Sequence, residues 1–282
     1  MLFRSGWETA NKYVRYEIDP DALAFAADAV DDSGTFWNAS ADDWRRLREV
    51  ELAHGAGTSL TLRRSRQWWH HRVFERFGDE RYVYAWDDEH GETAGYLVYT
   101  VDGDHGDRTL EVAEASYRSE KAYLQLLGFL YRHDSQVSEI ELYRCCGTDM
   151  LDRVADTTDI ECEIDAGPMI RVADVPAALE RVPYPDGVSG STTIAVTDPL
   201  LEAGNGTVRL DVEDGEAECR PAPDAGQADV ETGVGTLSQL VVGYHDVQDA
   251  ERLGSLSCAD DEVRETFDRL FPPETVCLRD FF

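Results

Sequence analysis

The chain has 282 residues, of which 57 are acidic, 26 are Lys or Arg and 42% are hydrophobic, and its formal net charge is -31. This length suits two domains or one large one, and the hydrophobic share is enough to build cores. The negative charge is spread along the chain and would repel phosphates, which argues against nucleic acids and anionic membranes as partners.

Lysine is almost absent, since only Lys12 and Lys121 occur, while aspartate is heavily used. This composition is typical of adaptation to molar salt, where the screening length falls to about 3 Å and self-repulsion is cancelled. An acidic interaction protein is the alternative, but such proteins usually show acidic runs and few aromatic residues. No run approaches the roughly 18 apolar residues of a membrane span, and residues 1–13 lack the apolar stretch of a signal peptide. We therefore expect a halophilic, cytoplasmic protein.

The cysteines form neither a CxxC pair nor a zinc-binding pattern with histidine. In a cytoplasmic protein we expect them to be reduced and mostly buried. They are Cys145, Cys146, Cys162, Cys219, Cys258 and Cys277.

The first predicted elements belong to a mixed domain. Residues 7–18 alternate between apolar and polar side chains as a strand does, and 19–40 are predicted to be an irregular arm. Ser40 caps a helix that extends to about Gly55, and a second helix is predicted from Ser65 to about residue 77. Three strands at 82–86, 93–101 and 109–117 are then predicted to form an antiparallel meander.

An amphipathic helix is predicted at 119–133. A strand at 140–145, a helix near 150–157, a strand at 169–175 and a short helix at 175–182 follow. The segment 182–190, VPYPDGVSG, is rich in proline and glycine and predicts a domain boundary. Beyond it, predicted strands at 190–198, 206–214 and 215–222 and helices near 236–246, 249–254 and 261–271 indicate a small sheet covered by helices.

Local motifs argue against several enzyme classes. The chain has no GxxxxGK[ST] or GxGxxG motif, which argues against ATP and dinucleotide enzymes, and no GxSxG motif for a serine hydrolase. His70 and His71 are adjacent on a predicted helix, where their side chains point about 100° apart and cannot both ligate one metal without further ligands. We therefore expect no metal site and treat both as surface or interface histidines.

The first domain contains a dense group of aromatic residues. This group has two interpretations: a helix packed on a sheet through large side chains, or the wall of a pocket for an apolar or cationic substrate. Its members are Trp68, Trp69, Tyr82, Tyr84, Trp86, Tyr96 and Tyr99.

The sequence ends in two phenylalanines, Phe281 and Phe282. Chain termini are usually polar and frayed, so an aromatic end suggests insertion into the body of the protein. Insertion would place the terminal carboxylate of Phe282 where little water reaches it, and burial would raise its pKa towards neutrality, as a general base requires. Simple docking of the two rings onto a core explains the same pattern.

Several strings, taken in order, resemble the Eis-like (enhanced intracellular survival) acetyltransferases of the GNAT superfamily. The resemblance extends from about Phe3 to Phe282. It is carried by RRSRQWW, YVYAW, GYLVYT, AYLQLLGFLYRHDSQV, GPMIRVADVPAALE, VGTLSQLVVGY and the terminal DFF.

The resemblance implies an α+β fold with a GNAT-like mixed sheet flanked by helices, followed by a sterol-carrier-protein-like α+β domain. We expect 1–19 to be the remnant of an N-terminal GNAT domain, 20–182 a second GNAT-like domain and 183–282 the carrier-like domain. The family's acetyl-CoA-binding loop would then lie upstream of Met1. The strand near 7–18 would be left with an exposed edge, which favours self-association, and family members commonly assemble into rings.

The resemblance also implies roles for individual residues. The terminal carboxylate of Phe282 is expected to deprotonate the substrate amine before the amine attacks the thioester of acetyl-CoA. Trp68, Trp69 and Phe281 are expected to line the amine-binding cavity. The family's general-acid tyrosine falls near Leu2 or Phe3, and neither of these has a hydroxyl group.

Two hypotheses follow from the sequence. The first is an N-acetyltransferase that moves acetyl from acetyl-CoA to an amine of a small molecule or a lysine and that is incomplete in this chain. The second is a non-catalytic binding or scaffold protein made of the GNAT-like and carrier-like domains.

Overall fold

The computed structural model describes residues 5–31, 33–75, 81–104, 106–133, 135–145, 147–223 and 226–279. The chain divides into two compact units. The middle unit consists of Lys12–Gly57 and Thr61–Asp165, and the terminal unit consists of Met1–Asn11, Thr58–Leu60 and Ala166–Phe282. The three segments expected from the sequence stay a prediction, and the compact units divide the chain differently, after Asp165 rather than after residue 182.

The strands and helices are numbered in chain order. The strands are β1 (Glu8–Thr9), β2 (Lys12–Ile18), β3 (Thr35–Asn38), β4 (Thr58–Ser59), β5 (Tyr82–Asp87), β6 (Thr93–Asp104), β7 (Asp107–Tyr117), β8 (Glu139–Arg144), β9 (Ile160–Ala166), β10 (Met169–Ile170), β11 (Gly190–Thr197), β12 (Gly206–Glu213), β13 (Glu216–Pro221), β14 (Val230–Gly233), β15 (Leu256–Cys258) and β16 (Thr275–Val276). The α-helices are α1 (Ala24–Ala29), α2 (Trp44–His54), α3 (Arg66–Trp68), α4 (Glu120–Tyr131), α5 (Val175–Leu179), α6 (Val234–Val241), α7 (Val247–Arg252) and α8 (Asp261–Leu270), and a π-helix at Trp69–Phe74 continues α3.

The middle unit is built on a seven-stranded mixed sheet with the order β3-β5-β6-β7-β8-β2-β9. β5, β6 and β7 are antiparallel neighbours, which confirms the predicted meander, while β7 and β8 are parallel. Residues of β6 alternate between two cores, because successive side chains in a strand point to opposite faces. Leu97 and Tyr99 join the core that contains residues of α1 and α4, and Tyr96 and Val98 join the core that contains Leu47 and Trp69. Helices therefore flank the sheet on both faces.

Two expectations for the start of the chain are wrong. β2 does not have an exposed edge, because it pairs with β8 and lies between β8 and β9 in the sheet. The predicted irregular arm contains α1 and β3, and Leu23 and Ala26 in this segment are fully buried. The segment is therefore part of the core of the middle unit.

The terminal unit contains a five-stranded sheet with the order β13-β12-β11-β14-β15. β11 and β14 are parallel and the other neighbours are antiparallel. Its core joins residues of the strands to residues of α5, α6, α7 and α8, such as Leu179, Leu237, Ala250 and Phe267. The small sheet covered by helices, predicted from the alternation of strands and turns, is confirmed.

The expectation that the cysteines are reduced is wrong for two of them. Cys145 and Cys277 are each disulfide-bonded. Cys162, Cys219 and Cys258 are free thiols, and Cys146 lies outside the described residues. Within the described ranges, no helix is both long and apolar enough to cross a membrane.

Candidate functional site

The carboxyl end of β7, next to the N-terminus of α4, is the candidate cofactor region of the middle unit. The parallel ladder joins Thr109–Val112 to Glu139–Leu142, and β7 continues to Tyr117. α4 then crosses over from β7 to β8. In such units, ligands bind beyond the carboxyl ends of the strands, close to the N-terminus of the crossover helix.

Side chains of the protein itself form a hydrogen-bonded network at this end of the sheet. Arg144 donates hydrogen bonds to Tyr123 Oη at 3.0 Å, Tyr117 Oη at 3.3 Å and Asp149 Oδ1 at 3.1 Å. The rings of Tyr117 and Tyr123 stack with centroids 4.6 Å apart, and the guanidinium of Arg144 lies 5.2 Å from the Tyr123 ring centroid. Burial raises the pKa of Tyr123, so its hydroxyl is neutral at physiological pH.

The N-terminus of α4 does not fit the pyrophosphate group of acetyl-CoA. Ser119 Oγ accepts a hydrogen bond from the backbone N–H of Ala122 at 3.2 Å, so one of the amides that would face an anion is already used. Glu120 adds a carboxylate to the first turn, and the guanidinium of Arg153 pairs with it. No glycine occurs between Tyr117 and Ala122 to let a phosphate approach the backbone closely. The described residues at this helix end therefore do not form a pyrophosphate site.

The two tryptophans predicted to bind the substrate lie in different environments. Trp69 is 0% exposed and packs against Tyr96, with ring centroids 5.9 Å apart. Its indole Nε1 is buried without a hydrogen-bond partner among the described residues. Trp68 is half-buried, and the guanidinium of Arg72 lies 5.4 Å from its ring centroid.

The aromatic group of the middle unit is divided between the two faces of the sheet. Trp69 and Tyr96 belong to one core, and Trp86 and Tyr99 belong to the other, with Tyr82 and Tyr84 packed against it. This arrangement favours the helix-on-sheet interpretation for most of the group. Trp68, which belongs to neither core, is the member best placed to contact a ligand.

A buried ion pair lies next to Trp69. Arg64 Nη1 donates to both carboxylate oxygens of Glu114 at 2.9 Å, and Tyr96 Oη donates to the same carboxylate. The side chains of Arg64 and Glu114 are only 3% and 11% exposed. The guanidinium of Arg64 lies 5.4 Å from the ring centroid of Trp69, so the indole ring covers the pair on one side.

The C-terminal tail of the terminal unit is held by backbone hydrogen bonds. β16 pairs in parallel with β4, matching Thr275 to Thr58 and Val276 to Ser59. The next amide, of Cys277, donates to Ser59 O at 3.1 Å. Val276 is 5% exposed, so this part of the tail is docked rather than frayed.

Phe281 and Phe282, predicted to bind the substrate and to act as the base, lie outside the described residues, as do Leu2 and Phe3. The adjacent histidines lie in the π-helix. His71 Nδ1 is 3.0 Å from Glu75 Oε2 on an exposed side chain, and His70 Nε2 is 3.4 Å from Arg66 Nε. Across the part of the chain that the structure describes, no three His, Cys, Asp or Glu side chains converge to hold a metal ion.

A cavity of about 420 Å³ lies in the terminal unit between α5 and the sheet. Most of its lining residues are apolar, chiefly valine and proline, and the polar ones include Asp174, Asp198 and Asn205. The apolar lining residues include Val172, Val175, Pro176, Val196, Leu201, Val208, Pro221 and Val234. Such a lining suits a small apolar ligand.

Sequence reasoning missed the network around Arg144. Its members come from β7, α4, β8 and the 3-10 helix that begins at Asp149, so no local spacing joins them. Arginine among tyrosines near the end of a strand was the available signal, and it was not distinctive in a chain whose cations are nearly all arginine.

Two family models match the chain. Residues 60–172 match an acetyltransferase (GNAT) domain, and residues 175–279 match a sterol carrier protein domain. A comparison with curated proteins gives no match.

Several solved structures share the fold. A GCN5-related N-acetyltransferase from Anabaena variabilis is 20% identical with a TM-score of 0.81, over 100% of this chain and 70% of that one. A probable N-acyltransferase from Enterococcus faecalis is 19% identical with a TM-score of 0.84, over 99% and 69%. Eis1 from Mycobacterium abscessus is 23% identical with a TM-score of 0.69, over 100% and 70%. The chain therefore combines an acetyltransferase domain of the GNAT fold with a C-terminal sterol carrier protein domain.

Proposed function

We propose that this protein is an Eis-like N-acetyltransferase that moves the acetyl group of acetyl-CoA to an amine of a small molecule or a lysine. The match of residues 60–172 to an acetyltransferase domain carries this proposal. The likeness in fold to structures described as N-acetyltransferases and as a probable N-acyltransferase supports acyl transfer as the reaction class.

In this proposal the base is the terminal carboxylate of Phe282, and Trp68, Trp69 and Phe281 line the amine cavity. The docked tail supports the first role, because its backbone is held up to Leu278 and few residues follow. A carboxylate with reduced access to water has a raised pKa, so it can accept the proton of an ammonium group more readily. The half-buried ring of Trp68 supports the second role, because an aromatic face attracts cations.

The acetyl donor is proposed to bind outside the candidate cofactor region of the middle unit. Arg144 and its tyrosine partners pack against one another at the carboxyl end of β7, and the Ser119 side chain already caps the N-terminus of α4. We also propose that the protein works in a salty cytoplasm, because a net charge of -31 is best tolerated where ions screen it.

The test is an acetyl-transfer assay in molar KCl with acetyl-CoA and a panel of diamines and lysine peptides. We expect thiol release that depends on the amine. A variant with two glycines appended after Phe282 displaces the carboxylate, and its kcat should fall by about 10²-fold or more. The matched control carries the same two glycines before Met1 and should keep the wild-type rate. Full activity of the C-terminally extended variant would remove Phe282 from the mechanism.

The second candidate function is binding without catalysis. The apolar cavity of about 420 Å³ in the terminal unit favours it. Isothermal titration separates the two functions: heat on adding acetyl-CoA supports the enzyme, whereas no heat with acetyl-CoA and saturable binding of a fatty acid supports the binding protein.

A further inference from the structure

Among the described residues of the middle unit, four tryptophans each have an arginine guanidinium close to the indole ring. The guanidinium carbon lies between 4.5 and 5.4 Å from the ring centroid in each case. We name these contacts the Arg–Trp pairs. They are Arg46–Trp37, Arg45–Trp44, Arg72–Trp68 and Arg64–Trp69.

Two of the Arg–Trp pairs hold a carboxylate of the same chain. Arg46 Nη2, next to Trp37, donates to both carboxylate oxygens of Asp87 at 2.9 and 2.8 Å. Arg64 Nη1, next to Trp69, donates to both oxygens of Glu114 at 2.9 Å. We call these two the closed pairs. They show that an arginine beside an indole ring in this fold binds one carboxylate through both of its oxygens.

The other two Arg–Trp pairs, which we call the open pairs, hold no carboxylate. Arg45 and Arg72 are exposed, and neither has a carboxylate partner among the described residues. The chain has 57 acidic residues, so carboxylates are abundant on its surface. The open pairs therefore have the arrangement of the closed pairs and lack only the anion.

The open pairs lie on the same side of the seven-stranded sheet. Trp44, at the start of α2, packs against the core that contains Trp69. The turn Ala41–Asp43, directly before α2, contacts the π-helix Trp69–Phe74, to which Arg72 belongs. Arg45 and Arg72 therefore stand on neighbouring elements, so one short ligand can reach both.

The charge around the open pairs favours an anionic ligand of limited length. Residues 44–75 hold seven arginines and three acidic residues, a net of +4 in a chain of -31. A long polyanion such as a nucleic acid would continue from this positive segment onto negative surface and be repelled. Leu52, two helical turns after Arg45, is 38% exposed and offers an apolar contact. A short stretch of polypeptide with carboxylates among apolar side chains fits both features.

We propose that the open pairs form a docking surface for an acidic segment of a partner protein, in which Arg45 and Arg72 each bind one carboxylate as the closed pairs do within the chain. The indole beside each guanidinium limits the freedom of the arginine before binding, so less entropy is lost when the carboxylate arrives. A contact at hydrogen-bond distance, partly shielded by the ring, is also screened less by molar salt than separated charges are. The inference uses no step of the acetyl transfer and stands apart from the proposed function.

The test is fluorescence anisotropy with the full chain in molar KCl. The probe is a short fluorescein-labelled peptide in which glutamates are interspersed with leucines, and its twin carries glutamine in place of every glutamate. We expect saturable binding of the acidic peptide and none of its twin, because a carboxamide lacks the charge and the second acceptor oxygen of a carboxylate. No binding of the acidic peptide, or equal binding of both peptides, would overturn the proposal.

Variants of the open pairs locate the binding. Arg45→Gln with Arg72→Gln should raise the Kd by about tenfold or more, because two charge-assisted contacts are lost. Arg45→Lys with Arg72→Lys keeps both charges but not the planar fork, so its Kd should lie between those of the wild type and the glutamine variant. The matched control, Arg132→Gln with Arg181→Gln, removes two exposed arginines that also lack a carboxylate partner among the described residues. It should change the Kd by less than about twofold, and a loss equal to that of the open-pair variant would overturn the proposal.

Two further measurements identify the occupant. A single-stranded DNA oligonucleotide that binds as tightly as the acidic peptide, with the same loss in the glutamine variant, would make the surface a nucleic-acid site and overturn the proposal. Sedimentation of the chain without peptide tests self-association. An oligomer that the glutamine variant dissociates would mean that a second copy occupies the open pairs, and it would overturn the proposal as well.

Discussion

Among the described residues, each unit has an arginine buried against a carboxylate, and the two pairs are built differently. In the middle unit, Glu114 accepts hydrogen bonds from the side chains of Arg64 and Tyr96. In the terminal unit, Asp198 pairs with Arg171, and its Oδ1 also accepts from the N–H groups of Leu200 and Leu201 at 2.9 and 3.0 Å.

The difference determines what each carboxylate stabilises. Glu114 links the segment before α3 to strands of the sheet, so its hydrogen bonds join elements that form the core. Asp198 instead holds the backbone that follows it, and the side chain of Asn205 closes the same loop by accepting from the N–H of Asp198 at 2.8 Å. Loss of Glu114 should therefore act on the whole middle unit, whereas loss of Asp198 should act mainly on the loop.

Glu114→Ala should give the largest effect. It removes the bidentate partner of a guanidinium that is 3% exposed, and breaking such a buried pair costs about 4 kcal/mol of unfolding free energy. Urea unfolding, followed by tryptophan fluorescence, measures the change.

Two variants sharpen this result. Glu114→Gln keeps an acceptor oxygen and should cost less than Glu114→Ala. The double variant Arg64→Met with Glu114→Leu removes both charges, so it should cost much less than Glu114→Ala. A loss below about 1 kcal/mol for Glu114→Ala would show that the pair contributes as little as a surface pair does.

Trp69→Ala should give the next largest effect, about 3 kcal/mol, because it leaves a cavity in the core and opens Arg64 to water. Trp68→Ala, at the adjacent half-buried position, should cost about 1 kcal/mol or less. Urea unfolding of both variants measures the two losses of unfolding free energy. The KM for the amine then assigns the substrate-binding role: a rise in Trp68→Ala alone places Trp68 and not Trp69 in the cavity wall. Equal stability losses in the two variants would contradict the difference in burial.

The elements around the two ion pairs also differ in how well the sequence predicts them. The helices α2, α4 and α8 and the meander β5-β6-β7 were predictable because their apolar residues recur with the period of a helix or a strand. β9 was missed because three of its seven residues are acidic and most of its side chains are exposed. β3 and α1 were missed because they are short. In these elements tertiary contacts, rather than local pattern, fix the structure.

The candidate site was less predictable than the fold for the same reason. Aromatic character and the family resemblance singled out Trp68 and Trp69. A π-helix begins at Trp69 and shifts the helical phase, so the sequence pattern could not say which ring is buried. Arg64 and Glu114 are 50 positions apart, and Arg171 and Asp198 are 27 apart. With 57 acidic residues in the chain, neither partner could be chosen by spacing.

Asp198→Asn should give the smallest effect of the three, about 2 kcal/mol at neutral pH, because Asn still accepts from the loop amides but loses the charge opposite Arg171.

The pH dependence of this loss tests the ion pair of Asp198 and Arg171 more sharply. Burial alone would raise the pKa of Asp198, but the N–H groups of Leu200 and Leu201, together with Arg171, outweigh burial and lower that pKa. A carboxyl group whose pKa is lower in the folded state stabilises the protein above its unfolded pKa of about 3.9 and loses that contribution as the pH falls through the folded pKa. The difference in unfolding free energy between wild type and Asp198→Asn should therefore be constant from about pH 5 upwards and shrink below about pH 4. Urea unfolding at several pH values measures it, and Asp186→Asn, which removes an exposed carboxylate, controls for the change in net charge. A difference that stays constant down to about pH 2 would mean that the charge of Asp198 contributes nothing and that only its shape and hydrogen bonds hold the loop.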